Sequence, residues 1–141
     1  MEIKAKLKNI VQELKIKDKI ELFFLFGSQA RGDSNQNSDI DLAILLEEYY
    51  YQKINPLNLR SELIAYFTSE LGNECDVVLI NQANHLLKYQ IIKYGEIIYQ
   101  ADSMRYSTFF SRIVREHLDF RYYKQLHNKL LLKRINGDGD S

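Results

Sequence analysis

The sequence predicts an α/β (α+β) domain, and three observations predict it. Short apolar runs of strand length fall at Ile20–Phe26, Asp39–Leu46, Cys75–Ile80 and Glu96–Gln100. Between and around them, apolar residues recur at helical spacing. At 141 residues, 45% apolar and 27% charged, the chain has the size and composition of one domain with one core, too small for a full substrate domain besides.

The elements follow in order. Ile3, Leu7, Ile10, Val11 and Leu14 share one side of a helix over residues 3–15, whose apolar side packs on the core. The aromatic and aliphatic run Ile20–Phe26 suits a buried strand, and Asp39–Leu46 a second, joined by the polar, turn-rich SQARGDSNQNS. Tyr49, Tyr50 and Tyr51 fall in the loop after it; they read as structural packing ahead of a rim that stacks on adenine. Pro56 precedes LNLRSELIAYFTSELG, a helix with Gly72 as its stop. DVVLI, rich in β-branched residues, makes a third strand from Cys75 to Ile80. Asn81 is expected to cap a helix through about Tyr94, Gly95 to end it, and Glu96–Gln100 to form a short fourth strand.

A final helix runs from Ser103 to about Ile135. Phe109, Ile113, Phe120, Tyr123, His127 and Leu130 form one stripe, and Phe110, Val114 and Leu118 begin a second. One stripe is expected to dock on the domain; the other either wraps the same core or meets a partner. The chain thus divides into a domain at residues 1–102, a helix at 103–135 and an NGDGDS tail at 136–141, expected to be disordered.

Charge sharpens that division. Residues 1–102 carry 11 basic and 15 acidic side chains, and residues 103–134 carry 8 and 2, so the helix is basic on a chain of zero net charge. The neutral total gives no global nucleic-acid signal, and no direct nucleic-acid binding is expected. The first residues mix charges and lack an apolar leader core, and no apolar run approaches the roughly 18 residues that span a bilayer. The single cysteine, Cys75, excludes an internal disulfide and fits a reducing compartment, so a soluble cytoplasmic protein is expected.

The chemistry concentrates between Gly27 and Asp76. Asp39 and Asp41, two apart at the start of a strand, point to one face, where like charges repel unless a cation sits between them or one is protonated. Such an oxygen-rich site suits Mg²⁺. Gly27 allows close approach of a ligand to the backbone, and Ser28, opening a helical turn, offers N–H groups and a hydroxyl to an anion. Arg31 adds a charge-assisted phosphate contact. Asp76 enters an apolar strand, where an unpaired acid is costly; beside the second strand it completes a triad with Asp39 and Asp41. Three carboxylates, two metal ions and a phosphate cradle make a phosphoryl-transfer site.

Other candidates carry less. Asp138-Gly139-Asp140 has no strand or Gly-Ser partner. Arg112 and His117 match the Arg-x4-His pattern of HEPN ribonucleases, but the chain has no room for that helical bundle. His85, His117 and His127 show no metal-ligand spacing with Cys75, whose apolar strand argues for an inert core thiol.

GSQARGDSNQNSDIDLAIL resembles the Gly-Ser, ten residues, Asp-x-Asp signature of the polymerase-β-like nucleotidyltransferase superfamily, and ECDVVLI resembles its third acidic strand. The resemblance covers about residues 20–100. It implies a small mixed sheet flanked by helices, two Mg²⁺ ions on Asp39 and Asp41, Asp76 joining them or serving as base, Gly27 and Ser28 on the triphosphate, and Arg31 as a phosphate contact. With no room for the acceptor domains of larger members, the chain resembles instead the minimal nucleotidyltransferases, the MNT proteins encoded beside HEPN toxins. That similarity implies an antitoxin that transfers AMP from ATP to a tyrosine of a cognate HEPN ribonuclease, gripping it through the Ser103–Ile135 helix. The alternatives are a binding-only antitoxin and a nucleotidyltransferase for a small molecule such as an antibiotic.

Overall fold

A computed structural model describes residues 2–27 and 39–136, with side chains through residue 132. Four strands form one mixed sheet in the order β3-β2-β1-β4. Central β1 (Ile20–Phe26) runs antiparallel to both β2 (Ile40–Leu46) and β4 (Glu96–Gln100), while β2 is parallel to β3 (Cys75–Leu79). A parallel pair needs a crossover, which α2 (Glu48–Tyr51) and α3 (Pro56–Leu71) supply. The other helices are α1 (Ile3–Glu13), α4 (His85–Tyr94) and α5 (Arg105–Asn136).

Both faces of the sheet are covered, which is why Leu22–Phe26 of β1 reads as a continuous apolar run instead of an alternating one. On one face, Leu7 and Val11 of α1 and Leu63, Phe67 and Leu71 of α3 pack on Phe23, Leu25, Leu42 and Ile44. The Phe67 ring meets Phe23 edge-on, centroids 5.5 Å apart, the favoured sense for aromatic quadrupoles. On the other, Ile91 and Ile92 of α4 and Phe109 and Ile113 of α5 pack on Leu22, Phe24 and Ala43. Asn55 caps α3 by accepting from the Asn58 N–H, Pro56 opens it, and Gly72 closes it at φ 74°, a left-handed turn that glycine adopts without steric cost.

The helix after β3 starts later than its sequence suggests. Ile80–Gln82 is a 3-10 turn, and Asn84, not Asn81, caps α4 by accepting from the Leu87 N–H at 2.9 Å. Asn81 is captured elsewhere: its side chain accepts from the Leu46 N–H at 2.8 Å and donates to the Leu46 carbonyl at 2.9 Å. Leu46 lies past the last β2–β3 pair, Ile44 with Leu79, so an amide takes the place of the missing strand residue. Tyr49–Tyr51 form the helical turn α2, not a loop, capped by Glu47. Tyr50 and Tyr51 pack on the first core layer; Tyr49 is exposed, with the Lys53 ammonium over its ring.

The α5 stripe is only partly docked. Phe109 and Ile113 are buried, His117 stacks on Tyr89 with ring centroids 3.7 Å apart, and Phe120 leans on His85 at 4.0 Å. From Arg121 to Leu132 every residue is exposed, so Tyr123, His127 and Leu130, and Leu118 of the second stripe, face solvent. The reason is extent: α4 begins at His85, and Phe120 already reaches that end. No helix among the described residues is long and apolar enough to cross a membrane.

Candidate active site

The sequence-predicted acids gather where β1 ends and β2 and β3 begin. Asp41 is the register partner of Phe26 on one side and of Asp76 on the other. Neighbouring strands stand about 4.8 Å apart, so the Asp41 and Asp76 backbones are as close as a sheet allows. The pleat sends both side chains to one face, that of Ala43 and Val78, because their neighbours Ile40 and Cys75 turn into the opposite core layer. As the second residues of their strands, they lie at the rim of the apolar layer, and Asp39 is exposed just before β2. Acids can therefore sit next to buried residues: alternation, not chain position, decides which side meets water.

Gly27 ends β1 at φ 78°, in the left-handed region that favours glycine. A Cβ there would overlap the Asp41 carboxylate outright, lying 3.1 Å from its Cγ. Two independent constraints, conformation and close approach, thus require glycine beside this acid. Ser28 and Arg31 lie outside the described residues, as does the 137–141 tail.

Asp76 has a partner that the sequence did not reveal. Arg60 of α3 donates from Nη2 to its Oδ1 at 2.7 Å and from Nε to the Val77 carbonyl at 2.7 Å. The separation of 16 residues, on a helix whose apolar repeat runs through Leu59 and Leu63, left Arg60 looking like an ordinary solvated charge. No three histidine, cysteine or acidic side chains stand in metal-holding geometry among the described residues. The donor chemistry nevertheless fits a hard cation: carboxylates alone, adjacent across a parallel pair, beside a bend kept open by glycine.

Cys75 is no nucleophile. Burial pushes its thiol pKa up, opposed by the Thr68 hydroxyl and reinforced by the negative charges of Asp39 and Asp41.

A mixed sheet with helices on both faces, and paired carboxylates opposite a glycine bend, suits a nucleotidyl-transferring class of fold. The sequence model of the family described as "Polymerase beta, Nucleotidyltransferase" matches residues 8–104, and the chain belongs to that family. Within it, the chain is 26% identical to the protein adenylyltransferase MntA of Aphanizomenon flos-aquae over 109 residues, 72% of this chain and 71% of that one. It is 32% identical to the protein adenylyltransferase MntA of Shewanella oneidensis over 78 residues, 55% of this chain and about half, 52%, of that one. Among solved structures it shares its fold with a toxin–antitoxin crystal structure with AMP-PNP, at TM-score 0.71 and 21% identity, covering 92% of this chain and 98% of that one. A second is a tri-AMPylated Shewanella oneidensis HEPN toxin in complex with MNT antitoxin, at TM-score 0.68 and 20% identity, covering 92% and 99%.

Proposed function

We propose that this chain is an antitoxin nucleotidyltransferase that transfers AMP from ATP to a tyrosine of a cognate HEPN ribonuclease and so neutralises it. The observation that carries the reading is the packing of the Gly27 backbone under the Asp41 carboxylate, with Asp76 as Asp41's register partner. An acid pair beside a bend that admits no side chain suits a substrate of condensed phosphates and magnesium. The adenylyltransferase relatives supply the nucleotide and the protein acceptor.

In this reading Asp39, Asp41 and Asp76 would hold two Mg²⁺ ions, Gly27 and Ser28 would take the triphosphate, and Arg31 would add a phosphate contact. Mg²⁺, when bound, neutralises charge on the transferring and leaving phosphates. The phenol oxygen of the acceptor attacks the α-phosphorus, the bond to pyrophosphate breaks, and the phenolic proton passes to a base, a role open to Asp76. Residues 1–102 form the catalytic domain, and the basic helix from 103 to 135 offers the exposed surface that binds the toxin. A lone buried thiol suits a cytoplasmic setting.

A binding-only antitoxin is the second reading, favoured by the Arg60 contact that already engages Asp76. Incubation with labelled ATP, Mg²⁺ and a cognate HEPN protein separates the two. Label on the HEPN chain, lost in an Asp39→Asn plus Asp41→Asn variant, supports transfer; inhibition of the ribonuclease without label refutes it in favour of binding alone. Full transfer by the double variant overturns the metal assignment.

A further inference from the structure

We infer that Arg60 is a positioning residue for Asp76, fixing which of its carboxylate oxygens faces the site. The inference rests on the reading of Asp76 as a site acid. β3 is an edge strand, so the N–H and carbonyl of Val77 point out of the sheet with no neighbouring strand to meet them. Both are recruited. The Val77 N–H donates to Asp76 Oδ1 at 2.9 Å, while Arg60 Nη2 donates to that same oxygen and Arg60 Nε to the Val77 carbonyl, each at 2.7 Å.

The result is a closed ring of three hydrogen bonds. A planar guanidinium anchored on a backbone carbonyl cannot swing away without breaking both of its bonds, and it holds the carboxylate with it. All three bonds end on Oδ1 or on Val77 itself, which leaves Oδ2, among the described residues, as the oxygen presented for a metal ion or a proton. Strand register sets the Asp76 backbone opposite Asp41, and Arg60 sets the side chain. An ion pair as exposed as this one, 36% and 52% by side chain, adds little to stability, so the geometric role can be separated from a structural one. A lysine ammonium supplies a point charge but cannot bridge carbonyl and carboxylate in one plane.

The test compares Arg60→Met and Arg60→Lys in the wild type and in an Asp76→Asn background, in the full chain with its HEPN partner. Expected for Arg60→Met is a fall of roughly 10–100-fold in kcat for AMP transfer, the usual effect of removing a group that orients a metal-binding carboxylate. The KM for ATP and the melting temperature of the metal-free protein stay near wild type. Affinity for Mn²⁺, used as the probe ion in calorimetry, weakens together with kcat. Arg60→Lys recovers only part of either loss, and neither Arg60 variant adds to the defect of Asp76→Asn. Wild-type turnover and Mn²⁺ affinity in Arg60→Met overturn the inference, as does an equal loss in the Asp76→Asn background. Should Arg60→Met fail to fold, the same criteria apply to Arg60→Lys. Wild-type transfer by Asp76→Asn alone instead overturns the site reading, a result separate from anything Arg60 does.

Discussion

Gly27→Ala tests the close approach at the site, and Gly72→Ala is its internal control. Both glycines have φ near 75°, at 78° and 74°. Placing alanine in the left-handed region costs about 1–2 kcal/mol, so each variant should lose a comparable amount of stability. For a chain of this size that is a fall in Tm of about 2–8 °C. The surroundings differ. At Gly72 an added Cβ meets nothing within 4 Å, whereas at Gly27 it overlaps Asp41 Oδ2 and crowds Cγ at 3.1 Å. The Asp41 carboxylate must retreat by roughly 1 Å, and a misplacement of that size can cost about 10²-fold in rate. Expected, then, are similar melting shifts for the two variants, with transfer of labelled AMP to the HEPN partner down about 100-fold in Gly27→Ala and unchanged in Gly72→Ala. A Gly27→Ala protein that melts earlier yet turns over at the wild-type rate would refute the argument that Asp41 must stand against a bare backbone.

Further predictions concern the scaffold. Asn81→Ala strands the N–H and carbonyl of Leu46 and should destabilise by about 1–3 kcal/mol, read as a lower urea midpoint at unchanged slope. Phe109→Ala removes a main anchor of α5 and should cost about 3–5 kcal/mol, with hydrogen exchange accelerating first along that helix. The pKa of His117 is lowered by burial, and then by the positive charges of Arg121, His85 and Lys93. The unfolded chain therefore binds more protons than the folded one once pH drops through about 6.5, and stability falls below that pH, levelling off below the folded pKa and unaffected above it. Melting curves at pH 7.5 and 5.5 should show the difference, and His117→Phe should shrink it.

What could be read from the sequence was what is encoded locally. Ile20–Phe26 and Glu96–Gln100 form strands with the predicted bounds because a short apolar run between turn residues has few other uses. Asp39 and Asp41 were conspicuous because a two-residue spacing fixes a shared face wherever the strand ends up. Contacts between distant segments were not legible. Asn81 and Asn84 are equally good caps by residue type, and the choice is made by Leu46, 35 residues away from Asn81. The pairing of Asp41 with Asp76 is not encoded locally, since strand order is a property of the whole sheet. Arg60 carries no signal, because an arginine on an amphipathic helix is the commonest kind of solvated residue. Periodicity in α5 gave the apolar stripe but not its cover, which stops at Phe120.

Helix α5 continues from its docked turns into solvent as one unbroken element, residues 121–132 extending about 18 Å at 1.5 Å per residue. A segment that short is marginal as a helix by itself, so its shape depends on continuity with the turns anchored at Phe109 and Ile113. It is a lever in place of a tether. Anything seated along it keeps a fixed bearing on the acids at the sheet end, and the search for the acceptor becomes intramolecular, with an effective concentration set by helix geometry rather than by linker length. Because each residue turns a helix by 100°, one residue inserted after Phe120 would swing the seated molecule around the axis while every atom of the domain stayed where it was.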